Sequence, residues 1–322
     1  MSKKEECMIS IIVPMYNSEK TILALLNSVS KQIYSDYEVL LINDGSTDNT
    51  IGVLEEIIDK DKRIVLYNQN NKGAPAARNL GIENAKGKYI LFCDADDILA
   101  DDALEILVES MINSKADIVI ANHVYFYNDS LHNSTLVKRY NKFVKRFDTN
   151  IRCFFADPIP GTKLYKKEII EKNKLLFADV RIAQDLNFYI KYLFHCSIIC
   201  DIDNVTYYYR ITEGSISRSY KLDNLLDIQK SLQDIAMELN NVDDIDIQKY
   251  KNYIEYLKLI NYVGQMRKKR FLSKDDYQIL RKTLCSDVDI KQLKDKKIFR
   301  ANFGKIIEFV LIKYFNILLK HK

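Results

Sequence analysis

The first 120 residues alternate between two hydrophobic patterns. Short apolar runs rich in β-branched residues are typical of buried strands, and the longer segments between them repeat apolar residues with helical period. This alternation predicts a Rossmann-like α/β fold, a mostly parallel sheet flanked by helices. The predicted strands span 9–13, 38–42, 63–67, 89–93 and 117–121, and the predicted helices span 19–31, 48–59, 74–85 and 101–113, with Ser18 and Thr47 as N-caps.

The pattern changes twice farther along the chain. Residues 123–150 are polar and irregular, which predicts a variable excursion. Order returns in strands predicted at 162–165, 198–200 and 205–209 and in a helix at 184–194. After Tyr220 the periodicity is helical throughout, with no proline and little glycine. We therefore expect a catalytic domain at 1–220 and an α-helical region at 221–322 for acceptor, membrane or oligomer contacts.

Composition narrows the function classes. The 322 residues are 47% hydrophobic and 29% charged, which is typical of a folded domain. A net charge of +4 from interspersed residues does not indicate a nucleic-acid partner. The six cysteines form no CxxC pair and have no histidine at metal-ligand spacing, so they are expected to be reduced thiols. Because the N-terminus lacks a signal-peptide or transmembrane pattern, a cytoplasmic location is expected.

Polar clusters follow four of the predicted strands, and these are the positions where ligands bind in such sheets. The clusters are Pro14–Asn17, Asn43–Asp48, Asn70–Gly73 and Asp94–Asp97. Two carboxylates after an apolar strand, Asp94 and Asp96, suit a Mg²⁺ or Mn²⁺ ion whose shell substrate phosphates complete. The alternative is that Asp96, Asp97, Asp101 and Asp102 are solvent-facing acids at the start of the next helix, where negative charge is favoured.

Two further residues carry alternatives of the same kind. Arg78 lies in the helix that follows a glycine-containing loop, so it is suited to phosphate or to holding a carboxylate. Asp44 is placed to accept hydrogen bonds from a base or ribose, whereas its surroundings are also typical of a turn before a capped helix.

The ordered motifs VPMYN, NDGSTDNT and NKGAPAARNLGIENAKGKYILFCDADD resemble family-two glycosyltransferases of the GT-A fold. The resemblance is close over the first 100 residues and looser to Ser217. It implies an inverting, metal-dependent bacterial enzyme that transfers a sugar, from a UDP-sugar by preference, in polysaccharide synthesis. The implied donor-binding residues are Pro14, Tyr16, Glu19, Asp44, Lys72, Arg78, Asp94, Ala95 and Arg210, and the implied Mn²⁺ or Mg²⁺ ligands are Asp96 and Asp94, the DxD motif.

The resemblance also implies a catalytic base. The family's acceptor segment usually ends in Glu-Asp before a helix, and here the pair is Gln184-Asp185. Asp185 would take the proton of the acceptor hydroxyl in a single inverting displacement. The segment Tyr207–Arg210 with Ser215 and Ser217 resembles the family's closing segment, whose basic residue and hydroxyls lie near the diphosphate. As alternatives, Asp185 is only a helix-start acid, and Arg210 is only a surface charge at the end of a packed strand.

Rival functions are less well supported by the motifs. No GxGxxG or GxxxxGK[ST] is present, and the loop after the first strand lacks the basic, glycine-rich character of nucleotidyltransferases. Because Gln184 replaces the usual glutamate, an inactive nucleotide-sugar-binding or assembly subunit stays an alternative.

The expected acceptor is a glycan or lipid-linked glycan. The C-terminal helices either contact the inner face of the membrane, with Lys294, Lys296, Lys297 and Arg300 nearby, or pack internally or in a homo-oligomer.

Overall fold

The computed structural model describes residues 9–127, 130–136, 149–211, 221–242, 247–310 and 312–313. The chain divides into two compact units. The sheet unit comprises Met1–Arg139, Ala156–Asp179 and His195–Thr212, and the helical unit comprises Tyr140–Phe155, Val180–Phe194 and Glu213–Lys322. The domain boundary predicted at residue 220 therefore stays a prediction. The division into compact units groups residues 180–194 with the C-terminal helices.

The sheet unit contains a nine-stranded mixed sheet. The strands are β1 (Ile9–Met15), β2 (Tyr37–Asn43), β3 (Ile64–Asn68), β4 (Tyr89–Phe92), β5 (Ile98–Leu99), β6 (Ile118–Tyr127), β7 (Ser130–Leu136), β8 (Lys163–Lys166) and β9 (Ile199–Arg210). Their order is β3-β2-β1-β4-β8-β6-β9-β5, and β7 pairs with β6. The first four are parallel neighbours, whereas β8 runs antiparallel to β4 and β6. The predicted α/β fold is confirmed.

Helices connect these strands and cover the sheet. They are α1 (Ile22–Ser30), α2 (Glu55–Lys60), α3 (Ala74–Asn84), α4 (Ala103–Ser114) and α6 (Lys167–Lys172). All residues of β2 and β4 are buried, as expected for interior parallel strands that are covered on both faces. The parallel strands therefore end together at one edge, where the polar clusters follow them.

Both predicted N-caps are wrong. Helix α1 begins at Ile22 after Thr21, and no side chain caps it. The backbone N–H of Ser18 instead donates to the Thr50 hydroxyl at 2.7 Å. In the segment after Thr47, a 3₁₀ turn at Gly52–Leu54 precedes α2. The two loops bond to each other, so the polar residues that resemble caps hold loops together.

The predicted excursion at 123–150 is wrong for its first part. Strand β6 continues to Tyr127, and β7 pairs with it antiparallel. The two short strands predicted at 198–200 and 205–209 are one strand, β9, which pairs parallel with β6 through two register shifts. Alternating polar residues on a strand that is partly exposed obscure the apolar pattern. Residues 137–148 lie outside the described residues.

The helical unit contains α5 (Thr149–Phe154), α7 (Gln184–Phe194), α8 (Leu222–Glu238), α9 (Ile247–Met266), α10 (Lys274–Ser286), α11 (Lys296–Ala301) and α12 (Phe303–Val310). Ile306 and Phe309 of α12 are buried, and Glu308 forms an ion pair with Arg267, with Nε 2.9 Å from Oε1. The described part of α12 therefore supports the internal-packing alternative. None of the helices that the structure describes is long and apolar enough to cross a bilayer.

Candidate functional site

The loops that follow β1 and β2 are bonded into one surface. The backbone N–H of Asn17 donates to the Ser46 hydroxyl at 3.0 Å, and the Asn17 side chain accepts from the Thr47 N–H at 2.8 Å. Gly45 has φ +71°, and a Cβ there would lie 2.9 Å from the backbone nitrogen of Asn71. The turn therefore needs glycine, both for its left-handed backbone and for the close approach of the third loop.

Asp44 joins the second loop to the third. Its buried carboxylate accepts hydrogen bonds from the Gln69 side chain at 2.7 Å and from the backbone N–H groups of Lys72 and Gly73, both at 2.8 Å. These bonds exceed what a turn before a capped helix requires. Oδ2 accepts from Gly73 alone among the described residues, so this oxygen retains a lone pair for another donor. The sequence left Asp44 open between a ligand role and a turn, and it did not predict these bonds to the third loop.

Other predicted donor-binding residues lie at the end of β1 and in the loops that follow β1 and β3. Tyr16 is 49% exposed, which leaves its ring face accessible. Pro14 is half-buried in β1, and half-buried Glu19 accepts a hydrogen bond from the Asn49 N–H at 3.0 Å. The Lys72 side chain is exposed.

Arg78 forms an ion pair with Asp94. Its Nη2 lies 2.7 Å from Asp94 Oδ1, and its guanidinium lies over the Phe177 ring, 5.2 Å from the centroid. Arg78 is buried, whereas the Asp94 side chain is 30% exposed. Of the two roles open from the sequence, the geometry supports holding a carboxylate. Arg78 thereby fixes one of the two aspartates in the predicted DxD motif.

Asp96 is half-buried two residues away, with buried Ala95 between the two aspartates. Burial and the negative charge of Asp94 raise the pKa of Asp96 to about 6, and the charge of Arg210 opposes the rise. A carboxylate in such a place gains from a nearby cation. The alternative, in which Asp96 is a solvent-facing acid at the start of the next helix, does not account for its burial. In addition, α4 begins only at Ala103, seven residues farther along.

Asp97, the next residue, is an anchor that sequence reasoning missed. Its buried carboxylate accepts from the Tyr207 hydroxyl and from the Arg210 N–H, both at 2.7 Å. The Tyr207 hydroxyl in turn accepts from the Asp94 N–H at 3.0 Å, and Arg210 Nε donates to the Asp96 carbonyl at 2.5 Å. Burial and the charges of Asp96 and Asp94 raise the pKa of Asp97 well above its usual range. These bonds fix the loop Asp94–Asp97, which we call the aspartate loop, to β9.

The turn at Pro160–Thr162 supports the position of Tyr207. A Cβ on Gly161 would lie 2.2 Å from the Tyr207 ring, so glycine is required for this approach. Fully buried Lys163 donates to the carbonyls of Asp157 and Ile159, both at 2.7 Å, and thereby fixes the turn. The turn therefore packs closely against the hydroxyl end of the Tyr207 ring, a contact that no sequence motif indicates.

We expect Tyr207→Phe to lower the free energy of unfolding of the protein and to loosen the aspartate loop. The change leaves a buried carboxylate and a backbone N–H without their hydroxyl partner, which costs about 1–3 kcal/mol. Urea unfolding measures this loss. Tyr208→Phe is the matched control, because the half-buried Tyr208 hydroxyl makes no hydrogen bond with the described residues. Equal midpoints for the two variants would contradict the anchor.

Asp185 lies in the helical unit, half-buried in the first turn of α7. Ala183, immediately before the helix, has φ +65°. Its carbonyl accepts from the Ser231 hydroxyl and from the Asn187 N–H, both at 2.9 Å. The Asn187 side chain donates to the Ser231 carbonyl at 3.0 Å. The start of α7 is therefore held firmly by α8, which sequence reasoning did not anticipate.

The donor set for a divalent ion is small. Within the part of the chain that the structure describes, no group of three or more His, Cys, Asp or Glu side chains is arranged to hold a metal. Asp94 and Asp96 nevertheless fit a Mg²⁺ or Mn²⁺ ion that is bound through one or two carboxylates and completed by substrate phosphates. Ser215 and Ser217 lie outside the described residues.

Known proteins resemble this chain throughout its length. The model of the family described as glycosyl transferase family 2 matches residues 10–173, half of the chain. Glycosyltransferase GlyG of Streptococcus pneumoniae is 30% identical over 278 residues, which cover 78% of this chain and 90% of GlyG. Glycosyltransferase GlyA of the same species is 33% identical over 65% of this chain, but that match spans only 31% of GlyA.

Solved structures share the fold. S. aureus TarS 1–349, solved with UDP-GlcNAc, superposes with a TM-score of 0.74 at 22% identity and covers 95% of this chain and 90% of that one. The mannosyltransferase PcManGT of Pyrobaculum calidifontis, solved with GDP-Man and Mn²⁺, gives 0.55 at 17% identity, covering 95% and 87%. Together with the aspartate loop and the match of the family model, these likenesses show that the chain belongs to glycosyl transferase family 2 and is a glycosyltransferase of the GT-A fold.

Proposed function

We propose that this glycosyltransferase is metal-dependent and inverting, and that it moves a sugar from a UDP-sugar to a hydroxyl of a glycan or lipid-linked acceptor. The observation that carries the proposal is the aspartate loop. Arg78 fixes Asp94, the Asp97 anchor fixes the backbone, and half-buried Asp96 is left beside them with its pKa raised. Such a loop is suited to a diphosphate that arrives with a divalent cation.

The nucleoside would lie against the loops after β1 and β2. Tyr16 offers an exposed ring for stacking, and the remaining lone pair of Asp44 Oδ2 suits the imide N–H of a uracil base. Pro14 and Glu19 would border this pocket, while Lys72 and Arg210 would contribute positive charge toward the diphosphate. The UDP-GlcNAc bound by TarS, a structural relative, supports the choice of a uridine donor.

Asp96, with Asp94 beside it, would hold Mn²⁺ or Mg²⁺. Such an ion, when bound, neutralises the charge that builds on a departing diphosphate. The Mn²⁺ in the PcManGT complex supports this assignment. Arg78 would keep Asp94 in place through their 2.7 Å contact, and Arg210 would keep the backbone of Asp96 in place.

Asp185 would serve as the catalytic base. It would accept the proton of the acceptor hydroxyl as that oxygen attacks the anomeric carbon opposite the leaving diphosphate, which inverts the anomeric centre. The bonds of Ala183 and Asn187 to α8 would hold α7 in position for this step. Because Gln184 replaces the usual glutamate, an inactive nucleotide-sugar-binding or assembly subunit is the alternative.

The proposed setting is bacterial cell-surface polysaccharide synthesis from the cytoplasmic side. GlyG and GlyA are named glycosyltransferases of a bacterium. Neither nucleic acid nor a second cofactor is part of the proposal.

The test is a screen of the purified protein with Mn²⁺ against UDP-, GDP-, dTDP- and CMP-sugars, in which thermal shift and released nucleotide are measured. We expect one UDP-sugar to stabilise the protein and to be slowly hydrolysed, and we expect EDTA to remove both effects and Mn²⁺ or Mg²⁺ to restore them. Full activity in metal-free buffer would refute metal dependence. Binding without any hydrolysis or transfer would favour the inactive alternative.

A further inference from the structure

The end of the helical unit is strongly basic. The 47 residues from Arg267 to Lys313 contain 14 Lys and Arg against six Asp and Glu, a formal charge of +8 in a chain whose total is +4. Two of the six acids are held internally, since Glu308 pairs with Arg267 and Asp287 bonds to Lys258 and Tyr262. The positive charge of this segment is therefore largely uncompensated at its surface.

A pocket of about 370 Å³ lies within this segment. It is lined by Gln278, Arg281, Lys282, Cys285, Ser286 and Lys313. Three of these residues are basic and none is acidic. Gln278, Arg281 and Cys285 are spaced three and four residues apart on α10, and Lys282 and Ser286 are four apart. Five of the six lining residues therefore lie on two neighbouring stripes of this helix.

The hydrogen bonds of the pocket leave donors available. Arg281 Nη1 donates to the carbonyls of Ile312 and Lys313 at 3.1 and 3.3 Å, which fixes the guanidinium. Its Nη2 makes no hydrogen bond with the described residues, and exposed Lys282 has no ion pair or hydrogen bond among them. The neighbouring Gln278 uses its carbonyl oxygen on Arg281 Nε at 3.4 Å and keeps its amide N–H groups for a ligand. A site with such donors is suited to an oxyanion.

Cys285 lines the pocket together with the cations Arg281 and Lys313. Burial raises the pKa of its thiol, and the positive charges of Lys313 and Arg281 act against that rise. Both charges therefore act on the wall of the pocket that Cys285 forms. Like charges so close to each other favour an anion between them.

We propose that this pocket binds the phosphate of an anionic phospholipid headgroup and so attaches the protein to a membrane surface. A planar guanidinium with free donors matches phosphate oxygens. A bilayer is favoured over free phosphate because the charge of +8 extends well beyond the pocket, and because Ile279, 50% exposed, lies one turn from Lys282 on the same stripe. The inference does not depend on the proposed donor, metal or base.

The test compares two variants of the full chain that lose the same charge. Arg281→Gln/Lys282→Gln removes two cations of the pocket, and Lys274→Gln/Lys291→Gln removes two exposed cations of the same segment that do not line it. Cosedimentation with phosphatidylglycerol vesicles and with phosphatidylcholine vesicles is measured at 0.15 M salt. Charge alone predicts equal losses, about fivefold for each cation near the surface. We expect the pocket variant to bind at least about tenfold more weakly than its control.

Arg281 also donates to two backbone carbonyls, and its substitution would remove those hydrogen bonds. The single substitutions Lys282→Gln and Lys274→Gln therefore repeat the comparison with these bonds intact. Equal losses in both comparisons, or no binding of the unmodified protein to phosphatidylglycerol, would overturn the proposal. A thermal shift with inorganic phosphate that requires Arg281 and Lys282, without vesicle binding, would assign the pocket to soluble phosphate and overturn the lipid source. Donor hydrolysis should be unchanged in every variant, which separates this test from that of the proposed reaction.

Discussion

Asp96→Asn is expected to lower kcat/KM for sugar transfer by at least about 10³-fold and to remove the stimulation by Mn²⁺. Asparagine keeps the size of the side chain but not its charge, so the diphosphate and its cation lose their main protein ligand. The Arg210 contact is made with the backbone carbonyl of residue 96, which the substitution leaves in place. The loss should therefore come from the carboxylate itself and not from a displaced loop.

Steady-state kinetics over a Mn²⁺ titration measure this effect. Asp101→Asn is the matched control, because Asp101 is an exposed acid five residues farther along, between the aspartate loop and α4. If the helix-start alternative held for Asp96, both variants would behave alike. Normal Mn²⁺ stimulation in Asp96→Asn would remove this residue from the proposed metal site.

Much of the sheet could be predicted because its interior strands are buried on both faces. Continuous apolar runs such as Val39–Ile42 identify β2, and the loops that follow parallel strands must share an edge. The role of Arg78 was open between binding phosphate and holding a carboxylate, and only its 2.7 Å contact with Asp94 in the structure supports the second role. Local pattern and strand direction suffice to predict the strands and their shared edge, because each depends on residues that are close in sequence or on neighbouring strands.

The parts that could not be predicted depend on long-range pairing. In the run Tyr207–Tyr209, only Tyr207 is fully buried, and its hydroxyl bonds to Asp97 across 110 positions of sequence. No local pattern distinguishes one tyrosine of the three, because that choice depends on the register of β9. The loop-holding bonds of Asp44 and the cap-like residues Ser18 and Thr47 were misjudged for the same reason. Their polar groups bond to other loops and not to the helix that follows them.

The grouping of α7 with the helical unit bears on the proposed base. Asp185 is the only proposed catalytic residue in that unit, and its helix is held by α8 through Ser231. The proposed donor-binding residues all belong to the sheet unit. The proposed donor-binding role and the proposed base role can therefore be tested by separate substitutions.

Asp185→Asn is expected to lower kcat for transfer by about 10²- to 10⁴-fold while the dissociation constant of the donor and the Mn²⁺ dependence stay unchanged. The amide cannot accept the proton of the acceptor hydroxyl, but it keeps the shape of the side chain at the start of α7. Transfer is measured at saturating donor and acceptor, and donor binding is measured separately by calorimetry. A fall in kcat without a change in donor affinity is what a base acting only on the acceptor produces.

Asp223→Asn separates this role from that of a helix-start acid, because Asp223 occupies the first turn of α8 as Asp185 occupies the first turn of α7. An acid that only favours its helix contributes about 0.3–1 kcal/mol to stability and nothing to turnover. Both variants should therefore show similar small changes in unfolding midpoint, and only Asp185→Asn should lose turnover. If Asp185→Asn kept near-normal kcat with metal bound, another group would have to accept the proton, and the inverting mechanism would lose its base.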